Sequence, residues 1–243
     1  MRSLLFYGPG DVRLEDVPRP ETGPGDVLVQ VEVALTDGTD APILPGELPS
    51  PFGTEFCGVD VGSGERVVAA NSLLNGAFAE YVLVSAHVAE RNLFPVPAGL
   101  ASAVAALVEP LAGCLHEVEH AGIESGQTVA VAGLGPIGFM VCAAAKDAGA
   151  TVVAVDGRPE RRELAADFGA APGDGRGADV VIEELTLRGS LHHTPRTVRA
   201  ALAFLASGAH PWERLLTHQI GLEELPALLE APPPDLIKAA VIP

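Results

Sequence analysis

The sequence predicts an α/β protein in which a β-barrel-like domain precedes a smaller parallel-sheet domain. Three observations predict this class. Residues 1–100 contain short alternating apolar runs that glycine and proline interrupt, as in small barrels. Residues 128–156 contain a strand, a glycine turn, a helix and a second strand. Helical patterns that end at glycine follow, which is typical of alternating β and α elements.

Three runs in the first region are candidate strands: VLVQVEVAL at 27–35, ERVVAA at 65–70 and FAEYVLV at 78–84. A stretch with proline and glycine at 95–99 separates them from residues 101–122, whose period is helical despite Pro110. This helical region leads directly into the strand that begins at Thr128.

The glycine turn after that strand predicts dinucleotide binding. Gly133, Gly135 and Gly138 have the G-x-G-x-x-G spacing. The first glycine allows a tight turn, the second lets a pyrophosphate approach the backbone, and the third lets the helix pack close to the strand. Free amides at the helix N-terminus favour a diphosphate. The intervening Pro136 and Ile137 are therefore also candidate cofactor-binding residues.

Asp156 favours NAD as the cofactor. It closes the second strand 18 residues after Gly138, where a carboxylate accepts both hydroxyls of an adenosine ribose. The same carboxylate repels a 2′-phosphate. Arg158 lies within reach of that phosphate, so NADP remains the alternative.

The remaining pattern predicts further helices and strands. Residues 160–170 and 197–208 predict helices that stop at glycine, 173–191 a turn-rich stretch and a strand, and 222–230 a short helix. A Pro232–Pro234 turn and the apolar run IKAAVIP complete the chain.

Composition excludes several classes of function. The 243 residues are 48% hydrophobic, which favours a globular protein over a disordered one. A net charge of −17 opposes binding to nucleic acid or an anionic membrane. The sequence has no long apolar run and no signal-peptide pattern, so we expect a cytoplasmic protein. We expect Cys57, Cys114 and Cys142 to be reduced, mostly buried thiols.

Several motifs together resemble the medium-chain dehydrogenase/reductase superfamily, in particular its zinc-dependent alcohol and polyol (sorbitol-like) dehydrogenase branch. They occur in the family's order: GDVLVQVEVAL, GTE at 53–55, GERV with GAFAEYVLV, EPL at 109–111 before the glycine turn, ELTLRGS, and the C-terminal KAAVIP. The resemblance spans nearly the whole chain.

This resemblance implies a GroES-like catalytic domain at 1–113, a shortened Rossmann domain at 114–208, and a segment at 209–243 that returns to the first domain. It also implies hydride transfer between a nicotinamide and a small alcohol, polyol or carbonyl compound, with zinc as the Lewis acid. Family members suggest a homodimer or homotetramer.

The expected zinc ligands are altered in this chain. Asp37 stands where the family has a cysteine ligand, and Thr54 replaces the histidine of Gly-His-Glu. Glu55 and Glu109 match family glutamates, and Thr39 matches the hydroxyl that relays the substrate's proton. The resemblance therefore implies that Thr39, Asp37, Glu55 and Glu109 line the reaction centre.

The remaining carboxylates Asp37, Glu55 and Glu109 are candidate metal ligands, but zinc sites usually include nitrogen or sulfur. The altered ligands therefore argue against a catalytic zinc. A harder cation is one alternative; a metal-free cluster that holds a proton is a second. Ion pairs with arginine or turn caps are a third.

Two segments are shorter than in the family. Only NSLLN, at 71–75, stands where the family has its four-cysteine lobe, so we expect no structural zinc. DVVIE and ELTLRGS are fused where a further helix and strand normally intervene on the nicotinamide side. We expect a Rossmann sheet of about four or five strands.

Four other residues have alternative interpretations. His116 either approaches the pyrophosphate or packs on a helix surface, and His192 and His193 either approach the cofactor or lie in a solvated loop. Cys57 is either a substitute metal ligand or a small core residue.

Three functions remain consistent with the sequence. The first is an NAD(P)-dependent oxidoreductase of the zinc-type family. The second is a protein that binds or senses NAD(H) without catalysis, which the altered metal and nicotinamide regions favour. The third is a metal-free reductase of activated double bonds.

Overall fold

A computed structural model describes residues 1–8, 11–38, 40, 50–70, 76–173, 189–190 and 192–243. The chain divides into two compact units. Unit 1 comprises Met1–Glu109, Leu205–Ser207 and Trp212–Pro243, and unit 2 comprises Pro110–Phe204 and Gly208–Pro211. The domain limits expected from the family resemblance stay predictions.

The strands are β1 (Arg2–Gly8), β2 (Asp11–Asp16), β3 (Val27–Leu35), β4 (Ser50–Pro51), β5 (Glu55–Asp60), β6 (Arg66–Ala69), β7 (Tyr81–Val84), β8 (Leu93–Pro95), β9 (Thr128–Ala132), β10 (Thr151–Val155), β11 (Ala170–Pro172), β12 (Leu216–Gly221) and β13 (Lys238–Ile242). The α-helices are α1 (Ala86–Asn92), α2 (Ser102–Ala105), α3 (Val108–His120), α4 (Pro136–Asp147), α5 (Pro159–Leu164), α6 (Pro195–Ala206) and α7 (Leu225–Glu230). Short 3-10 helices cover Ala165–Phe168, Trp212–Leu215 and Leu222–Glu224.

The described strands of unit 1 form two sheets. One has the order β12-β13-β3-β5-β6-β8, with β7 also paired to β3, and the other has the order β2-β1-β4. The strands predicted around 27–35, 65–70 and 78–84 are present as β3, β6 and β7. Inward-facing apolar side chains form the core of this unit, including Leu4, Val29, Phe56, Phe78 and Val241.

The C-terminal end of β3 organises the charged residues of unit 1. Leu35 pairs with Glu55 of β5 on one side and with Ala240 of β13 on the other, both antiparallel. Because β5 and β13 pair with the same end of β3, one on each side, their own ends lie close together across that strand. The first residues of β5 and β13, Glu55 and Lys238, therefore lie close although 183 positions separate them in sequence.

Unit 2 is built on parallel strands in the order β11-β10-β9. Helix α4 connects β9 to β10, which completes the predicted strand, turn, helix and strand. The buried rings of Phe139 on α4 and Phe168 lie with centroids 5.4 Å apart. A mixed-sheet unit and a parallel-sheet unit confirm the predicted α/β class.

The predicted helical region at 101–122 consists of two helices, α2 and α3, with a turn at 106–107. Pro110 is the third residue of α3. In the first turn of a helix the N–H has no intrahelical partner, so proline costs no hydrogen bond there. The helix predicted at 160–170 is present as α5 followed by the 3-10 helix Ala165–Phe168, and it ends, as predicted, at a glycine, since Gly169 has a left-handed φ of 81°.

Some predictions lie outside the described residues. They include Thr39, the segment NSLLN at 71–75 and the fused strand within 174–188. The expected count of four or five Rossmann strands therefore stays a prediction. Within the described ranges, no helix is long and apolar enough to cross a membrane.

Gly58 provides a test of the β3–β5 contact that positions Glu55. A Cβ atom at this position would lie 2.2 Å from the carbonyl oxygen of Gln30 and 2.7 Å from Cγ1 of Val29. We expect Gly58→Ala to lower the free energy of unfolding by about 1–3 kcal/mol, as overpacking does. Urea denaturation measures this loss. Gly157→Ala is the control, since open space surrounds that position. Equal stability of the two variants would contradict the close approach.

Candidate functional site

The glycine turn of unit 2 joins β9 to α4. Gly133 has a left-handed φ of 89°, which favours glycine, and its N–H donates to the carbonyl of Val155 at 2.8 Å. Gly135 caps α4 with extended backbone, and Pro136 occupies the first helical position. Proline is preferred there because it lacks the N–H that would go unpaired. The turn is thus held against the end of β10.

The second and third glycines have different surroundings. A Cβ on Gly138 would lie 1.9 Å from the carbonyl oxygen of Gly133, so the turn and the helix approach too closely for any side chain. At Gly135, no atom lies within 4 Å of the position a Cβ would take. That space adjoins the N-terminus of α4, where free N–H groups and the helix dipole attract an anion. Ile137, in the first turn of α4, is 41% exposed.

Asp156 follows β10 and is tied to the turn. One carboxylate oxygen accepts from the N–H of Leu134 at 2.7 Å, and the other accepts from the N–H of Arg158 at 2.8 Å. Partial burial raises the pKa of Asp156, but these two hydrogen bonds and the charges of Arg161 and Arg158 together outweigh it, and the pKa lies below its ordinary value. The group is a carboxylate at neutral pH, and each oxygen keeps a lone pair for a further donor.

Arginines of α5 surround this acid. Arg161 donates to the carbonyl of Leu134 at 2.9 Å, and Arg162 donates to the carbonyl of Asp156. Burial and the nearby charge of Arg158 lower the pKa of Arg161 from its ordinary value. The adenosine end of the predicted cofactor site therefore combines one carboxylate with several cations. The sequence analysis singled out Arg158 alone.

A buried ion pair occupies unit 1. Lys238 is 1% exposed and Glu55 is fully buried. The Nζ of Lys238 donates to both Oε1 and Oε2 of Glu55 at 2.7 Å, and to the carbonyl of Thr36 at 2.5 Å. Burial raises the pKa of Glu55 and Lys238 opposes it, while the charges of Asp37 and Glu109 act with burial.

Asp37 and Asp40 form a turn directly after β3. The N–H of Asp37 donates to Oδ2 of Asp40 at 2.6 Å, and the N–H of Asp40 donates to the carbonyl of Asp37 at 3.1 Å. The Asp37 carboxylate accepts from the N–H of Gly38 at 2.5 Å. Burial raises the pKa of Asp40 to about 7, although the Asp37 hydrogen bond opposes it.

The three predicted carboxylates lie near one another but are not arranged as a metal site. Asp37 and Glu109 are close enough to influence Glu55 electrostatically. Both Glu55 oxygens, however, bond to the Lys238 ammonium, and a positive charge there disfavours a second cation. Among the described residues, no group of three or more His, Cys, Asp or Glu has the arrangement that a metal ion needs. This donor set does not fit zinc.

Cys57 is a core residue. It is fully buried, and burial raises the pKa of its thiol to about 11, which keeps it protonated rather than a thiolate ligand. The three cysteines are buried thiols, as predicted.

The three histidines considered as candidate cofactor contacts, His116, His192 and His193, belong to unit 2. His116 stacks on His120 along α3, with ring centroids 5.9 Å apart, in a shallow pocket that Glu119 and Arg196 also line. This arrangement agrees with packing on a helix surface. His192 is exposed and has a φ of 61°, and its ring lies edge-on to that of His193 with centroids 6.5 Å apart.

Sequence reasoning missed Lys238, Asp40 and Arg161. A lysine that opens the apolar run IKAAVIP is a usable signal, because a charge within a buried strand needs a partner. Arg161 lies five positions after Asp156, within the first turn of the following helix. Nothing local distinguishes Asp40 from an ordinary turn residue.

Comparison with known proteins relates both units to dehydrogenases. Residues 136–184 match the zinc-binding dehydrogenase family. In an alignment of 247 positions, the chain is 30% identical to an alcohol dehydrogenase from Cupriavidus necator. The alignment covers 78% of this chain and 67% of that protein. It is 32% identical to (R,R)-butanediol dehydrogenase from Bacillus subtilis over 236 residues, with coverage of 77% and 67%. A solved structure from Sinorhizobium meliloti 1021, assigned to the zinc-binding dehydrogenases and bound to NADP, superposes with a TM-score of 0.86 at 26% identity, covering 100% and 99% of the two chains.

The contribution of the Glu55–Lys238 pair to the free energy of unfolding can be tested by substitution. We expect Lys238→Met to lower the free energy of unfolding by about 3–5 kcal/mol, because it leaves a buried carboxylate uncompensated. The double variant Glu55→Gln/Lys238→Met should lose much less. Urea denaturation measures both, with Arg13→Met as control, since the Arg13–Asp11 pair is exposed and should contribute about 0–1 kcal/mol. A Lys238→Met variant no less stable than the control would contradict the prediction.

Proposed function

Because the chain belongs to the zinc-type medium-chain dehydrogenase/reductase family, we propose that it is an NAD(P)-dependent oxidoreductase that transfers hydride between a nicotinamide and a small alcohol, polyol or carbonyl compound. The relatives with matching sequence act, by name, on alcohols and on butanediol. Small organic hydroxyl compounds are therefore the proposed substrates, and a homodimer or homotetramer the proposed assembly. Buried thiols support a reducing, cytoplasmic location.

The glycine turn is the observation that carries this proposal. Gly138 lets α4 approach the turn that follows β9, and the open position at Gly135 leaves room for a pyrophosphate beside the helix N-terminus. Asp156, held by the N–H groups of Leu134 and Arg158, points to a donor-rich ligand such as a ribose diol. These features match the adenosine diphosphate half of a dinucleotide.

For the cofactor we favour NAD over NADP. The Asp156 carboxylate is ionised at neutral pH, since its pKa is lowered, and would repel a 2′-phosphate. Arg161 and Arg162 direct their guanidinium groups to backbone carbonyls. Arg158, two residues after Asp156, is the residue proposed to accommodate the 2′-phosphate of NADP, the cofactor that the Sinorhizobium meliloti structure contains.

The proposed chemistry at the substrate uses residues that the family resemblance assigns. Oxidation of an alcohol sends hydride to the nicotinamide and a proton to a relay, for which Thr39 is the proposed first acceptor. Asp37, Glu55 and Glu109 are proposed to line the reaction centre, with Glu55 held by Lys238. Zinc, where a family member binds it, polarises the substrate oxygen.

The engagement of Glu55 by Lys238 favours two alternatives that need no metal. One is reduction of an activated double bond, and the other is binding of NAD(H) without catalysis. Both retain the unit 2 site and differ from the leading proposal only in what happens to the substrate.

Turnover on a substrate panel tests the proposal. Simple alcohols, 2,3-butanediol, ketones and an enone are each combined with NAD(H) or NADP(H), and reduced nicotinamide is followed by absorbance. We expect turnover of an alcohol and ketone pair. Turnover of the enone alone would favour the metal-free reductase, and calorimetric binding without turnover would favour the non-catalytic protein.

Gly135→Ala is the matched variant for this experiment. Its Cβ would enter open space at an ordinary φ of −76°, so the melting temperature should not change. The same Cβ occupies the proposed pyrophosphate position and should weaken cofactor binding at least about 10-fold, or about 1.4 kcal/mol. If Gly135→Ala binds NAD as tightly as the natural chain, the proposed site is wrong.

Cofactor choice is tested at Asp156. We expect Asp156→Asn to raise the affinity for NADP relative to NAD by about 10-fold, because it removes a charge that repels the 2′-phosphate. Calorimetric dissociation constants for both cofactors give the ratio. The control is Glu163→Gln, an exposed change on α5, which should leave the ratio unchanged. Natural protein that already prefers NADP would refute the assignment to NAD.

A further inference from the structure

We propose that the buried Lys238 ammonium takes the place of the catalytic metal in this chain and excludes a divalent cation from the Glu55 site. The proposal deepens the proposed function and rests on it for the location of the reaction centre. It makes the enzyme a metal-independent member of a family of zinc-binding dehydrogenases. Four observations from unit 1 support it.

The first observation is that the ion pair is saturated. An ammonium has three N–H donors and no acceptor. Lys238 directs two of them to the two oxygens of Glu55 and the third to the carbonyl of Thr36. A divalent cation bound to Glu55 would have to displace these bonds and share a buried space with a positive charge.

The second observation is that the lysine cannot easily move aside. The N–H of Ala239 donates to the Thr36 hydroxyl at 2.9 Å, and the N–H of Thr36 donates to the carbonyl of Ala239 at 3.0 Å. These reciprocal bonds fix the residue next to Lys238 against the end of β3. The backbone that carries Lys238 is therefore held in place, and the burial of its side chain leaves the ammonium little room for another position.

The third observation concerns the other acids. Asp37 accepts from the N–H of Gly38, and its own N–H donates to Asp40, so its carboxylate belongs to a closed turn. Glu109 influences Glu55 electrostatically from the first turn of α3. Without Glu55, the donors that the family resemblance assigns are reduced to these two carboxylates, whereas a zinc site normally has four ligands.

The fourth observation is that, in the part of the chain that the structure describes, no soft donor replaces the cysteine and histidine ligands of the family. Thr54 occupies the position before Glu55, and a neutral hydroxyl is a poor zinc ligand. The nearby thiol of Cys57 is fully buried on β5. A lysine cation thus balances the carboxylate charge that a metal would otherwise neutralise.

In this proposal, the charge of the Lys238 side chain is what excludes the metal. Replacing it with methionine removes the charge and frees both Glu55 oxygens. Asp37, Glu55 and Glu109 would then form a carboxylate cluster that suits a hard cation such as Mn²⁺. The variant should gain a site that the natural chain lacks.

The experiment measures metal content and metal-dependent stability, not turnover, so its outcome is separable from that of the proposed function. The background is His116→Ala/His120→Ala, because two histidines four residues apart on a helix can chelate added zinc. Protein purified without chelator is assayed for bound metals, and its melting temperature is recorded with and without Zn²⁺ and Mn²⁺.

In this background we expect far less than one metal ion per chain and no rise in melting temperature. Addition of Lys238→Met should produce a rise of about 5 °C or more at saturating Mn²⁺. The rise should vanish when Glu55→Gln is added to that variant. Any such rise measures binding to the folded state alone.

Two results would overturn the proposal. One is a stoichiometric metal in the background protein that Asp37→Asn or Glu109→Gln removes. The other is a folded Lys238→Met variant that still takes up no Mn²⁺, since Lys238 would then not be what excludes the metal. If Lys238→Met fails to fold, the metal content of the background protein decides alone, and absence of metal there supports the proposal.

Discussion

The buried contact between Glu55 and Lys238 is the interaction on which unit 1 depends. It joins two strand ends that are 183 residues apart, and it does so at the end of β3, which pairs with both strands. A buried charge without its partner costs several kcal/mol, so neither β5 nor β13 can shift in register without exposing one. The pair therefore fixes where the C-terminal strand returns, and with it the position of the Asp37–Asp40 turn.

The two sites differ in how far the sequence predicts them. The glycine turn is local: strand, glycines, helix and Asp156 lie within 29 consecutive residues, and each has a steric or electrostatic role of its own. The charged site of unit 1 is assembled from residues near 37, 55, 109 and 238. Spacing along the chain does not encode such contacts. Family resemblance supplied Asp37, Glu55 and Glu109, whereas Lys238 became evident only from the sheet register.

The difference between local and long-range signals also explains which secondary-structure elements the sequence predicts correctly. The strand at Val27–Leu35 was predicted to the residue, because apolar and β-branched side chains fill it and glycine or a turn bounds it. The helical period at 101–122 did not reveal the turn at 106–107, because Ala106 and Leu107 are buried and continue the apolar pattern. Periodicity reports which side chains face the core, and it is insensitive to a break that preserves that face.

Net charge and local charge act in opposite directions at the cofactor site. The chain carries −17, which by itself would repel a dinucleotide. Arg158 directly precedes α5, whereas Arg161 and Arg162 lie on that helix and donate to the carbonyls of Leu134 and Asp156. These cations are held within a few residues of Asp156, and short-range interactions survive the screening that weakens the distant acids. Local cations can therefore offset the net charge of an acidic protein at the position where a phosphate is proposed to bind.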